Sequence, residues 1–185
     1  MPLSSAILNQ GLSRFMDPKS ASFKAEVDEK TGNLPKDGEE LGEFWSKAIV
    51  AYAATISPPP VQLPIFIAGL AGIQKVMSVA LRPAALPDPT GIVFEQVFNI
   101  AFQVYGNALG ALLIASSPGV YVGFTPPVGA VGTEIKLKVL PLGSSGAPAK
   151  EVVDKMVEII SAWFKSGTLL PTPPGPAIPP PIPWS

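Results

Sequence analysis

Between Ala48 and Thr133 the chain carries four charged residues in 86: Lys75, Arg82, Asp88 and Glu95. The flanks differ. There are 14 charged residues between Arg14 and Lys47, and nine from Glu134 onward. A stretch this poor in charge has to pack on itself, on neighbouring subunits or in lipid. At 185 residues, one domain has ample length to enclose it. The chain has 13 Lys and Arg against 14 Asp and Glu, a net charge of −1. That excludes a broad electrostatic nucleic-acid binder, which needs a basic excess or stripe. His and Cys are both absent. Zinc fingers, His-based metal sites, disulfide scaffolds, Cys nucleophiles and Ser-His-Asp triads are excluded with them. Pro (23) and Gly (17) are frequent, yet a mean hydropathy of +0.36 is far too apolar for a disordered chain.

A membrane span needs about 20 mostly apolar residues, and Ile92–Ser116 is the best candidate by length. It contains Glu95, Gln96, Asn99, Gln103 and Asn107 at helical spacing, a polar stripe that a lone span would have to put in lipid. A bundle helix would turn the stripe toward solvent or a polar interface. Ile65–Leu81 is shorter, carries Lys75 and ends in Arg82-Pro83. A membrane location is therefore not the expected one. The N-terminus has no basic segment followed by an apolar run, so no secretory signal is read there and the chain is expected to stay in a cytoplasm, or in a particle assembled there.

Periodicity predicts a mainly α fold: a bundle of about four helices with one small β-hairpin or strand pair and a proline-rich extended C-terminal tail. Residues 1–36 are an N-terminal helix (3–15) and a polar loop. Residues 37–169 are the helical domain, with a strand pair near 119–141, and 170–185 are the tail. The first domain helix opens on Asp37 as N-cap, buries Leu41, Phe44, Trp45, Ala48, Ile49, Tyr52 and Ile56, and stops at Pro58-Pro59-Pro60. The second runs from Pro64 to Leu81, and its Gly69 and Gly72 suggest another backbone coming close. The third runs from Gly91 to Ser116, with Gly106 and Gly110 at a close-packing spacing. The last starts at Ala147-Pro148, buries Val152, Val153, Met156, Ile159, Ile160 and Trp163, and ends at Gly167 as a C′ cap. Val120–Phe124 is β-prone, and Glu134–Val139 alternates charged and apolar residues as a half-buried strand does.

Little in the sequence suggests chemistry. Glu39, Glu40 and Glu43 fall in the first turns of a helix, where negative charge is favourable against the dipole. Glu95 reads the same way. No phosphate-cradling glycine loop and no calcium loop occurs. No cofactor, metal or small-molecule substrate is expected. The tail has eight prolines in its last 16 residues and is expected to be largely polyproline II. Its Pro176–Pro179 run also fits a P-x-x-P motif. The preferred reading is a clamp on a neighbouring subunit, with Ile178, Ile182 and the anchor Trp184 in the contact. Tyr121, Phe124, Ile135, Leu137 and Val139 of the strand pair complete the expected interface.

The run Gly42–Tyr52 followed by Ile56-Ser57-Pro58-Pro59, then Trp163–Thr168, then a tail ending Pro183-Trp184-Ser185, resembles small structural proteins of large contractile-tailed phage virions. The resemblance implies a non-enzymatic virion component repeated by symmetry, in the tail, baseplate, neck or capsid. Its partners would be copies of itself and other structural proteins. The competing class is a small membrane-active protein, pore-forming or holin-like.

Overall fold

The computed structural model describes residues 3–16, 19, 38–56, 60–82, 90–173 and 179–184. Their helices are α1 (Ser5–Met16), α2 (Gly38–Ala53), α3 (Leu63–Leu81), α4 (Ile92–Ala115), α5 (Val131–Lys138), α6 (Leu140–Ser144) and α7 (Ala149–Lys165). The strands β1 (Tyr121–Thr125), β2 (Thr168–Pro171) and β3 (Ile182–Pro183) form a small antiparallel sheet in that order. The fold is mainly helical, as expected.

Helix α3 lies between α2 and α4, α1 packs on α2 and α7, and α5 packs on α4 and α7. The predicted stripe of α2 points inward: Trp45, Ile49 and Tyr52 are buried. Aromatic rings link the helices through the core. Trp45 meets Phe98 edge-on at 4.8 Å, Phe102 meets Trp163 at 5.0 Å, and Tyr52 meets Phe164 at 4.9 Å. The Asp37 cap and the side chains of Glu39, Glu40 and Leu41 lie outside the described residues. Glu43 is exposed and faces Lys47 one turn on.

Helices α3 and α4 form an antiparallel hairpin. Its register is fixed where the Gln62 N–H donates to the Ser116 carbonyl at 2.8 Å and where Leu112 seats against Gly69. The close approach at Gly69 is thus a leucine side chain rather than a backbone, and Gly72 meets nothing. Gly106 and Gly110 make room for Trp163 and for the Phe124 ring.

The strand expected over Glu134–Val139 is instead helix α5. Ile135 and Val139 are buried with Val131, a spacing of four residues, while Leu137 points to solvent. Glu134 and Lys138 pair across one turn. β1 accordingly pairs with β2, whose residues the sequence reading divided between the end of the helical domain (Thr168, Leu169) and the extended tail (Leu170, Pro171). Phe124 lies opposite Leu169, with a bulge between Tyr121 and Gly123.

Gly167 stands at C′, directly after the C-cap Ser166, as expected, but it is not among the glycines of positive φ. Its glycine serves a contact: an added methyl would fall 2.7 Å from the Trp184 ring and 2.9 Å from Pro127. Trp184 is fully buried in the chain's own core, its N–H donates to the Gly167 carbonyl at 2.9 Å, and Ile182 pairs with Leu169. The sequence reading put this tryptophan in a neighbour's groove. The structure places it in a groove of its own chain, because β2 offers an open edge immediately after α7.

Candidate interaction surface

The polar stripe of α4 divides in two. Glu95 and Asn99 face α5, and Gln96, Gln103 and Asn107 face solvent. The Gly132 and Thr133 N–H groups donate to Asn99 Oδ1 at 2.8 and 3.4 Å, and Asn99 Nδ2 donates to Thr133 Oγ1 at 3.1 Å. The Thr133 hydroxyl donates to Glu95 Oε1 at 2.8 Å, and Lys136 Nζ donates to Glu95 Oε2 at 2.7 Å. These bonds from Lys136 and Thr133 hold the Glu95 carboxyl below its usual range. No side chain of α5's own N-cap residue, Ala130, caps the helix, so α4 supplies the cap from outside. The approach is tight: a methyl on Gly132 would overlap the Glu95 carbonyl. This cluster fastens one helix to another, and each of its polar atoms is engaged in doing so.

Among the described residues no group of His, Cys, Asp and Glu is arranged to hold a metal. The Tyr105 hydroxyl is buried without a hydrogen-bond partner, and burial pushes its pKa up. A hollow of about 540 Å³ between α1 and α7 is lined by Ser5, Asn9, Ser13 and Asp154, and Asn9 Nδ2 already donates to Asp154 at 2.8 Å. A smaller one, about 270 Å³, lies between α5 and α7 beside Glu134, Lys138 and Glu158. The carboxylate of Glu134 holds Lys138 above its usual range. Both hollows are shallow and edged by side chains already paired.

The largest unusual feature is apolar. α3 buries Phe66, Leu70, Ile73 and Met77 against its neighbours. Its opposite side carries Ile65, Ile67, Ala68, Ala71, Gly72, Val76 and Val79, with Lys75 as the charge among them. α3 is apolar all round, yet only 28% of its 18-residue apolar stretch is buried, against 44% for α4. A helix apolar all round is ordinarily covered all round. The antiparallel register sets Val76 alongside Val104 and Val79 alongside Ile100, so the uncovered strip crosses from one helix to the other. Ten large apolar residues, from Val61 through Val104, are 39–67% exposed. Six of them, Ile65, Val76, Val79, Val93, Ile100 and Val104, lie on the adjoining outer sides of the two helices; at about 80 Å² each they expose roughly 500 Å², at the upper end of the ~300–600 Å² of the largest apolar patch on a typical monomer.

The residues expected at an interface are scattered. Tyr121, Ile135, Val139 and Trp184 are buried inside the chain, and Phe124 and Ile182 are half-buried against the core. Leu137 is exposed on α5. Ile178 lies outside the described residues. The α3–α4 strip was not singled out, because the sequence of α3, an apolar run with no polar face, does not say which side its own chain covers. No protein-family model, no curated protein and no solved structure matches the chain.

Proposed function

We propose that the chain is a non-enzymatic structural subunit of a large symmetric protein assembly, a component of a contractile-tailed phage virion assembled in the host cytoplasm. The observation that carries this reading is the uncovered apolar strip along α3 and α4, at the upper end of what a solitary protein exposes. In an assembly the strip is buried between subunits, and the tail end stays closed on its own chain by Trp184. The resemblance of Gly42–Tyr52 and Trp163–Thr168 to virion proteins supplies the kind of assembly. The test is a mass-spectrometric census of purified particles from infected cultures. Expected is a fixed copy number per particle that survives a density gradient. Absence from particles refutes the proposal.

One observation favours a second reading, a membrane-active protein: α3 and α4 are each long and apolar enough to cross a bilayer. Against it, α4 is fastened to α5 by Asn99 and Glu95, and its Phe98 and Phe102 are fully engaged in the core. Insertion would have to break those contacts. Cell fractionation separates the readings, since a membrane protein pellets with lipid and needs detergent for release.

A further inference from the structure

We infer that the α3–α4 strip is a self-complementary surface on which a second copy of this chain docks, hairpin against hairpin about a two-fold axis near Gly72. The inference rests on the assembly reading and names the contact that starts it. Side-chain size varies across the strip: Ala68, Gly72 and Ala108 are small enough to leave a trough, and the bulkier Val76, Ile100 and Val104 supply ridges. A two-fold axis sets the ridges of one copy into the trough of the other, the ordinary way for helices to interlock.

Size fits as well. Roughly 500 Å² from the six large residues of the strip, with the exposed Ala68, Ala71, Gly72 and Ala111 between them, approaches the ~800 Å² each partner contributes to a stable interface. The absence of charge suits a partner made of the same residues, because only Lys75 lies within the strip. A lipid surface suits it less, since surface-lying helices carry several Lys or Arg along the polar edge, and here the edge is Gln96, Gln103 and Asn107. The long stretch of this chain outside the described residues, 20–37, holds seven charged residues and only Phe23, Val27 and Leu34 as large apolar ones. It is too polar to cover such a face.

The chain has no cysteine, which makes the test clean. Gly72 has open space around an added side chain, so Gly72→Cys is tolerated in the subunit and lies beside its own symmetry mate in the pair. Expected in sedimentation velocity is a dimer of the native chain in the micromolar range. Ile100→Glu, at an exposed position, should weaken it by about 100-fold or more by burying an unpaired charge. Val122→Glu, exposed on β1, should leave it unchanged. Gly72→Cys should oxidise to a covalent dimer faster than Ser145→Cys, which lies in the turn after α6. Circular dichroism of each variant separates loss of pairing from loss of fold.

A native chain that stays monomeric at about 100 µM overturns the inference. So does Ile100→Glu pairing as the native chain does. Flotation of the monomeric chain with phosphatidylcholine–phosphatidylglycerol vesicles, abolished by Ile100→Glu, overturns it in favour of lipid. The particle census is independent of all of these. A chain present in particles but monomeric in solution keeps the assembly reading and assigns the strip to another protein. A dimer absent from particles removes the assembly reading alone.

Discussion

Replacing Trp184 tests whether the tail belongs to the subunit or to its neighbours. The indole is fully buried, packs over Gly167 and Pro127, and stands one residue beyond β3. Truncating a core Trp to Ala costs ~3–5 kcal/mol where the surroundings cannot collapse. Two features reduce this. The indole Nε1 is buried without a hydrogen-bond partner, a penalty of ~1–3 kcal/mol that the alanine variant no longer carries. β3 is also only two residues long, so it can release and the groove can partly fill. The expected loss is about 2–3 kcal/mol, or roughly 5–10 °C in Tm for a chain this size. Trp184→Phe keeps the ring contact and removes the unpaired Nε1–H, so its loss should stay within about 1 kcal/mol. Urea unfolding followed by far-ultraviolet circular dichroism, at one fixed protein concentration, measures both. A Trp184→Ala chain as stable as the native one would refute the reasoning and return the tail to the role of a clamp on other subunits.

Asn99→Ala removes the cap that α4 supplies to α5. The Gly132 N–H then loses its acceptor, with an expected cost of ~1–2 kcal/mol in urea unfolding. An unchanged midpoint would mean that α5 is held by Val131, Ile135 and Val139 alone. Acid should loosen the same region. Glu95, bonded by Lys136 and Thr133, and Glu158, bonded by Lys155, both titrate below their ordinary value of 4.5 in the folded chain. Their stabilising contribution is therefore complete above about pH 4.5 and is lost as pH falls through the lower folded values. Lys138, raised above 10.5 by Glu134, behaves oppositely and loses its contribution as pH rises beyond that value. A denaturation midpoint flat between pH 6 and pH 3, on the order of three units, contradicts the acid part.

The helices α2, α3, α4 and α7 are legible in the sequence because each is a long run with apolar residues at helical spacing and meets a Pro or Gly two to five residues past its end. The misreading at Glu134–Val139 has a specific cause. Ile135 and Val139 are four apart, a spacing that an alternating strand and a helix face both contain. Leu137 and Val131 decide between them: a strand buries Leu137 with its neighbours, a helix buries Val131 instead. The structure does the latter. The i,i+4 pair of Glu134 and Lys138 was the second signal available. The pairing of β1 with β2 joins Thr125 to Thr168, and no local pattern encodes a contact so distant along the chain. The seat of Trp184 is hidden for the same reason.

The uncovered strip was invisible for a different reason. A helix with one polar face announces which side meets water, and α7 does so plainly, with Lys150, Glu151, Asp154 and Glu158 on its wet side. α3 has no such face, so its sequence is silent about which half its own chain will cover. The hairpin geometry decides. α2 and α4 together enclose the side of Phe66, Leu70 and Met77, and a helix held by two neighbours keeps an arc open that only a further element can close. Had selection favoured a solitary monomer, two or three polar substitutions at Ile67, Val76 or Val79 would have solvated that arc without touching the core, since surface changes of this kind are near neutral. The β-branched residues present there leave about half of their surface uncovered by the subunit, and that half exposes the chain to aggregation. On the proposed reading a contact outside the chain accounts for their presence, and the near-absence of charge along the strip makes that contact an apolar one.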